Sequence, residues 1–264
     1  MPVDDATGAV GDAKPGDRFG GIARLYGQAA RARLALAHVC VVGIGGVGSW
    51  AVEALARSGV GHLTLIDLDQ VAESNINRQI QALDGTLGQA KVTALAERIA
   101  GINPDAQVRC IEEFAEPDNL ERVIDPSLDY LLDCIDGAHN KAALIAHCQH
   151  IGLPLVTVGG AGGTRDPTRL RVLDLAFTSQ DPLLARTRQL LRARHGFPRD
   201  PKRPFRVACV FSDQPRIQPV APGCDGAPGG RLNCAGYGSV VTVTAAFGLA
   251  AAAQVLERLA SGPA

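Results

Sequence analysis

The chain has 264 residues, of which 46% are hydrophobic, 20% charged and 4% aromatic, a balance that leaves room for one large domain or two small ones. It excludes collagen-like, mucin-like and wholly disordered readings. The 26 Lys and Arg against 27 Asp and Glu give a net charge of −1, which neither demands nor forbids a polyanionic partner.

Residues 1–17 are rich in Gly, Asp and Ala without apolar periodicity and read as a flexible tail, so order is expected from Arg18. Beyond it, apolar β-branched runs alternate with helical spacings. His38 to Gly45 and His62 to Asp69 are predicted strands, and Ser49 to Ser58 between them is helical through Val52, Leu55 and Ala56. The βαβ unit continues into a helix at 90–102, strands at 106–111 and 130–135, a helix at 141–150 and a strand at 154–158. Strands that are apolar throughout and alternate with helices predict an α/β fold: a Rossmann-like, mostly parallel sheet with helices on both faces.

After Gly159 the texture changes. GGAGGTRDPTR is a Gly-rich, charged turn region, followed by a strand at 170–175 and a basic helix at 182–195. Two Pro-rich stretches, 198–204 and 218–231, bracket a further strand at 205–211, and the second is long enough to be mobile. Residues 165–216 hold 12 Arg and Lys against 5 Asp, so the neutral total conceals a basic segment. Ala235 to Leu256 carries no charge and is about long enough to span a bilayer. Its Ala, Gly, Val and Thr content, with Tyr237, Ser239 and Gln254, instead argues for a tightly packed buried helix over a membrane anchor. The expected organisation is one domain over residues 18–264, with a core at about 38–160 and a basic C-terminal elaboration at about 161–264.

Seven cysteines, an odd number, with no targeting segment at the start, point to a reduced cytoplasmic protein. No two lie closer than ten residues apart, so there is no CxxC pair to suggest a structural zinc. Cys40, Cys110 and Cys134 fall in predicted strands and are expected in the core.

The chemistry begins where the first strand runs into GIGGVG. Gly43, Gly45 and Gly48 have the GxGxxG spacing, with Gly46 inside it and a helix immediately after, an arrangement that offers free N–H groups to a phosphate. Asp67 and Asp69 close the second strand, where an acid can take ribose hydroxyls. The same fingerprint serves nicotinamide dinucleotides, but a triphosphate needs extra cations. DLDQVAESNINRQ supplies Asn75, Arg78 and Gln79, and GQAK supplies Lys91 at a helix start. In DCIDGAHNK, Asp136 falls at the C-terminal end of the fourth strand, where open α/β sheets bind ligands and where a carboxylate can hold magnesium. Taken singly, a surface ion pair for Arg78, helix solvation for Lys91 and an N-cap for Asp136 are equal alternatives; following a phosphate-binding turn, the set favours ATP and magnesium.

GIGGVGSWAVEALARSGVG, LIDLDQVAESNINRQ, GQAK and DCIDGAHNK together resemble the ubiquitin-activating-enzyme-like ATP-dependent adenylyltransferases, over residues 38–160. The resemblance implies ATP over the glycine turn, Asp67 on the ribose, Arg78 and Lys91 on the phosphates, and Asp136 on Mg2+. It also implies a homodimer in which an N-terminal arginine, here Arg18, reaches the neighbouring subunit's phosphates. The implied chemistry is carboxylate attack on the α-phosphorus. Without paired CxxC motifs or a C-terminal sulfur-transfer domain, the chain departs from the sulfur-carrier activators of that family. DRFGGIARLYG, the 159–192 region and LNCAGYGSVVTVTAAFG instead resemble its tRNA threonylcarbamoyladenosine dehydratase branch. That branch adenylates the threonyl carboxylate of a modified adenosine beside the anticodon and closes a ring with loss of AMP. The implied partners are the modified tRNA and sulfur-relay (cysteine desulfurase system) proteins; the basic segment suits a tRNA independently. Activation of a ubiquitin-like sulfur carrier, a non-catalytic nucleotide-binding subunit and an NAD dehydrogenase are the alternatives. Cys234 is the cysteine to weigh as a nucleophile, although ring closure by the substrate's own group needs no thiol.

Overall fold

The computed structural model describes residues 17–218 and 237–262. The tail up to residue 16, most of the second Pro-rich stretch, and Cys234 lie outside the described residues. Two short helices, α1 (Gly20–Tyr26) and α2 (Gln28–Leu36), precede the first strand. The chain then runs β1 (His38–Val42), α3 (Gly48–Arg57), β2 (His62–Ile66), α4 (Lys91–Ile102) and β3 (Gln107–Ile111). Next come α5 (Leu120–Val123), β4 (Tyr130–Asp133), α6 (Ala138–Ile151), β5 (Leu155–Val158) and β6 (Leu170–Asp174). The last elements are α7 (Pro182–Arg194), β7 (Ala208–Ser212) and α8 (Val241–Ser261).

All seven strands form one sheet in the order β3-β2-β1-β4-β5-β7-β6. Every pairing is parallel except β6 on β7, which runs antiparallel from Leu170 opposite Ser212 to Asp174 opposite Ala208. The α/β fold is therefore the expected one. β1 is flanked by β2 and β4, with Val39 opposite both Leu63 and Tyr130, and Val39 to Val42 are buried whichever face they point to, so the sequence HVCVV is apolar without alternation. The chain leaves β1 toward β2 on one side and returns as β4 on the other, which opens a crevice at the C-terminal ends of these strands.

The structure corrects several expected boundaries. β1 stops at Val42, because Gly43 takes φ +88° and turns the chain out of the sheet. β7 begins at Ala208, three residues late. The Asp174 carboxylate accepts the backbone N–H groups of Phe205 and Val207 at 2.9 and 3.1 Å, and Arg206 between them has φ +60°, so this stretch cannot join the ladder. β3 and β6 are the sheet edges and are largely exposed, contrary to the expectation of strands apolar throughout. Cys110, on β3, is exposed with them.

α8 is the one described helix long and apolar enough to cross a bilayer, and it serves as a core helix. Val243, Phe247, Ala251, Ala252 and Val255 are fully buried; each large side chain among them contributes about 1.5–3 kcal/mol by leaving water. Its small residues have a packing reason: a Cβ on Gly248 would lie 2.4 Å from the Val47 carbonyl oxygen and 2.9 Å from the Ala51 nitrogen, so α8 meets the start of α3 backbone to backbone. Arg33 on α2 donates to the carbonyls of Leu259 and Ala260, satisfying the last turn of α8 and setting a cation at its negative end.

Candidate functional site: a nucleotide cleft at the sheet's C-terminal edge

A cleft of about 1070 Å³ opens over the C-terminal ends of β2, β1, β4 and β5. Gly43, Gly45, Gly46, Asp67, Asp69, Asn75, Arg78, Gln79, Lys91 and Asp136 all line it. Of the residues expected at the site, Gly48 and Arg18 do not.

The glycine turn is built by close approach. A Cβ on Gly43 would lie 2.8 Å from the Cys134 carbonyl oxygen, and one on Gly48 only 1.9 Å from that of Gly43. Gly48 therefore lets α3 start directly against the turn, and does not line the cleft. Gly45 has nothing within 4 Å of a Cβ position, so its backbone faces open space in the cleft. α3 has no side-chain cap at its N-terminus, which leaves that end suited to an anion.

Asp67, at the end of β2, staples the turn. One of its carboxylate oxygens accepts the N–H of Ile44 at 2.6 Å and the other that of Asp69 at 2.9 Å. Burial pushes its pKa up, opposed by the nearby Lys91 charge. Gln81 continues the staple, donating to the Ile44 carbonyl at 3.0 Å and to Gln79 Oε1 at 3.2 Å. Among the described residues, the buried side-chain atoms without a partner are Ser49 Oγ and Gln81 Oε1, both next to this turn. Lys91 is almost wholly buried and pairs with Asp69 at 2.9 Å. The Asn75 side-chain Oδ1 accepts the N–H of Ala72 at 3.1 Å. The Arg78 backbone carbonyl accepts from Trp50 Nε1 at 2.9 Å, and its guanidinium donates to Ser74 O and Asn77 Oδ1 at 2.6 and 2.9 Å. Two cationic side chains thus line the cleft beside the turn.

β4 ends at Asp133 and not at residue 135, so Asp136 sits on the loop into α6. Gly137 occupies that helix's N-cap position, one residue past Asp136. Sequence reasoning missed what shapes this loop. Asp133 and Lys141 form an ion pair at 2.8 Å with both side chains at 0% exposure, Thr157 donates to Asp133 at 2.7 Å, and Lys141 donates to Thr157 at 3.0 Å. The other Asp133 oxygen accepts the N–H of Ile135 at 3.1 Å, fixing the path that carries Asp136 to the cleft. Cys134 lines the floor, where burial pushes its thiol up to about 12, the opposite of an activated nucleophile.

At the β5 end the cleft is walled by Gly159–Gly162, Pro182, Leu183, Arg216 and Tyr237–Ser239. Leu183, Leu184, Thr187, Leu190 and Leu191 bury one face of α7. Arg192 lies over the Phe205 ring at 5.0 Å and Arg188 bonds Thr178, so part of the basic segment is structural. Arg165, Arg171, Arg186, Arg194, Arg199, Lys202, Arg203 and Arg206 remain exposed. Arg18 is outside this chain's own cleft, donating to the carbonyls of Gly101 and Ile102 at the end of α4 at 3.4 and 3.2 Å.

No group of three or more His, Cys, Asp or Glu side chains suited to a metal occurs among the described residues. That is compatible with Mg2+, which is commonly held by one or two carboxylates together with phosphate oxygens. Asp136 lines the cleft and is a carboxylate that could serve in that way.

The pattern of the ThiF family matches residues 21–263. The chain is 48% identical to the tRNA threonylcarbamoyladenosine dehydratase of Haemophilus influenzae, over 92% of this chain and 93% of that one. It is 47% identical to the Escherichia coli enzyme of the same name, with the same coverage. Among solved structures, that of the E. coli tRNA N6-threonylcarbamoyladenosine dehydratase in complex with ATP superposes with a TM-score of 0.83 at 46% identity, covering 92% of this chain and 94% of that one.

Proposed function

Since the chain belongs to the ThiF family, we propose that it is an ATP-dependent dehydratase of N6-threonylcarbamoyladenosine in tRNA. The observation that carries this reading is a likeness extending over 92% of the chain, so that it includes the β5 wall and the basic segment as well as the glycine turn. A likeness confined to residues 38–160 would serve sulfur-carrier activation equally.

In this reading ATP lies with its phosphates over the glycine turn, where Gly45 leaves room and the start of α3 offers its N–H groups. Asp67 and Asp69 are the ribose acceptors, and Asn75 and Gln79 border the nucleotide. Arg78 and Lys91 neutralise the phosphates as a carboxylate oxygen of the threonyl group attacks the α-phosphorus. The bond to pyrophosphate breaks, leaving an acyl adenylate. A nucleophile of the substrate itself then attacks the acyl carbon, and AMP departs with the oxygen that the carboxylate gave up. The product ring has thus formally lost water. Mg2+, held by Asp136 with the phosphate oxygens, would stabilise the charge on the leaving pyrophosphate.

The exposed arginines of the 165–216 segment are the tRNA-facing charges. The protein would act as a cytoplasmic homodimer from a single domain at 18–264, its core at 38–160 and its elaboration at 161–264, with Arg18 reaching the partner subunit's site and sulfur-relay proteins as further partners. ATP–pyrophosphate exchange tests the reading. Exchange that requires threonylcarbamoyl-modified tRNA is expected; exchange that requires a carrier protein ending in Gly-Gly would transfer the activity to sulfur-carrier activation.

A further inference from the structure

Along the sheet edge the loops follow the strand order: Asp67 after β2, Gly43 after β1, Asp136 after β4 and Gly159 after β5. β5 is two strands from β1, about 10 Å away. A triphosphate reaching from the glycine turn to Asp136 therefore leaves the β5 end of the cleft for the group that carries the carboxylate. The shape of that end depends on a glycine loop with little side-chain packing of its own.

One guanidinium holds this loop. Arg216 Nη2 donates to the Gly160 carbonyl at 2.7 Å and to Asp181 Oδ2 at 2.9 Å, and its Nη1 donates to the Gly162 carbonyl. Asp181 is fully buried on its side chain. It also accepts the N–H of Gly160 at 2.9 Å and caps α7 through the N–H of Leu184 at 3.0 Å. The loop is pinned again where the N–H of Ile217 donates to the Gly163 carbonyl at 2.8 Å and the N–H of Gly163 donates to the Gly238 carbonyl at 2.9 Å. There is no slack: a Cβ on Gly159 would lie 2.3 Å from Asp181 Oδ2. Residue 216 thus ties together the loop after β5, the start of α7 and the segment after β7.

We infer that Arg216 is a positioning residue, its guanidinium locking the Gly159–Gly163 loop onto Asp181 so that the β5 end of the cleft is preformed for the carboxylate-bearing nucleoside, while the ATP end is independent of it. Its charge is already matched by Asp181, so it acts through the loop and not as a substrate anchor. Lysine cannot replace it, because a single ammonium lacks the planar fork that reaches two carbonyls and a carboxylate together. The inference rests on the dehydratase reading for the identity of the substrate, though not for the lock itself.

The test compares wild type with Arg216→Met, Arg216→Lys and Gly160→Ala. The last keeps the arginine but puts a Cβ 3.2 Å from Nη2, so it serves if the first two fail to fold. Two readouts are taken. Amide hydrogen exchange is expected to speed up at least tenfold at Gly160 and Gly163 in Arg216→Met and to stay unchanged at Ile44; unchanged exchange at Gly160 and Gly163 overturns the lock. Steady-state turnover of threonylcarbamoyl-modified tRNA is expected to lose at least tenfold in kcat/KM for tRNA, with ATP affinity within twofold, and without rescue by lysine. A normal kcat/KM despite faster exchange, an equal loss of ATP affinity, or full rescue by Arg216→Lys overturns the positioning role. Should wild type itself not convert the tRNA, the dehydratase reading falls, and with it the positioning role, while the exchange data still decide the lock.

Discussion

The two ends of the cleft are held by different means. At the β1–β2 end, Gly48 abuts Gly43 within the glycine turn, and two side chains link it to the rest of the cleft: Asp67 bonds the backbone of Ile44, 23 positions away, and Lys91 pairs with Asp69, 22 positions away. At the β5–β7 end, Arg216 reaches Gly160 across 56 positions of sequence and Asp181 across 35. The first end is built around a glycine motif, in which close backbone approaches set the shape of the turn. The second is a set of more distant contacts that converge on one guanidinium.

The sharpest way to break this division is at Asp136, between the two ends. Asp136→Ala is expected to lower turnover about a hundredfold or more, with tRNA binding retained, as removal of a metal-holding carboxylate does; near wild-type turnover would remove Asp136 from the reaction. Lys141→Met, beneath the same loop, is expected to act through stability. It leaves Asp133 buried and uncompensated, at a cost of about 3–5 kcal/mol in a urea melt, and Asp133→Asn in the same chain is expected to recover part of that cost. A single Lys141→Met variant as stable as wild type would contradict the structural role of the pair. The smallest effects separate two glycines of one motif. Gly48→Ala is expected to destabilise by about 1–3 kcal/mol through overpacking. Gly45→Ala is expected to stay within about 0.5 kcal/mol, as an unobstructed substitution does, while weakening ATP binding; a calorimetric titration alongside the melts reads both. If the two exchanged phenotypes, the turn would not be organised as described.

Legibility in the sequence follows the same division. The turn, the acidic end of β2, Arg78, Lys91 and Asp136 occur in contiguous blocks, and all of them line the cleft. Gly48 belongs to the same motif, yet its task is packing, which spacing cannot separate from ligand contact. The Asp133–Lys141–Thr157 cluster was not legible, because one lysine on a helix reads as solvent-exposed until the helix is docked on the sheet. Nor was Arg216 distinguishable from the eleven other cations of its segment. Exposure of β3 and β6, and of Cys110 with them, depends on their places at the sheet edges, a property of topology that local apolar pattern does not carry.

Dehydration of a threonylcarbamoyl-adenosine with ATP in this cleft leaves a mark on the nucleoside itself. It is tested most directly by nucleoside mass spectrometry of modified tRNA incubated with the protein and magnesium ATP, worked up mildly enough for a hydrolysable ring to survive. The modified nucleoside is expected to lose the mass of one water, in step with AMP release and only when ATP is present. A nucleoside of unchanged mass, from a protein shown to bind ATP, would contradict it.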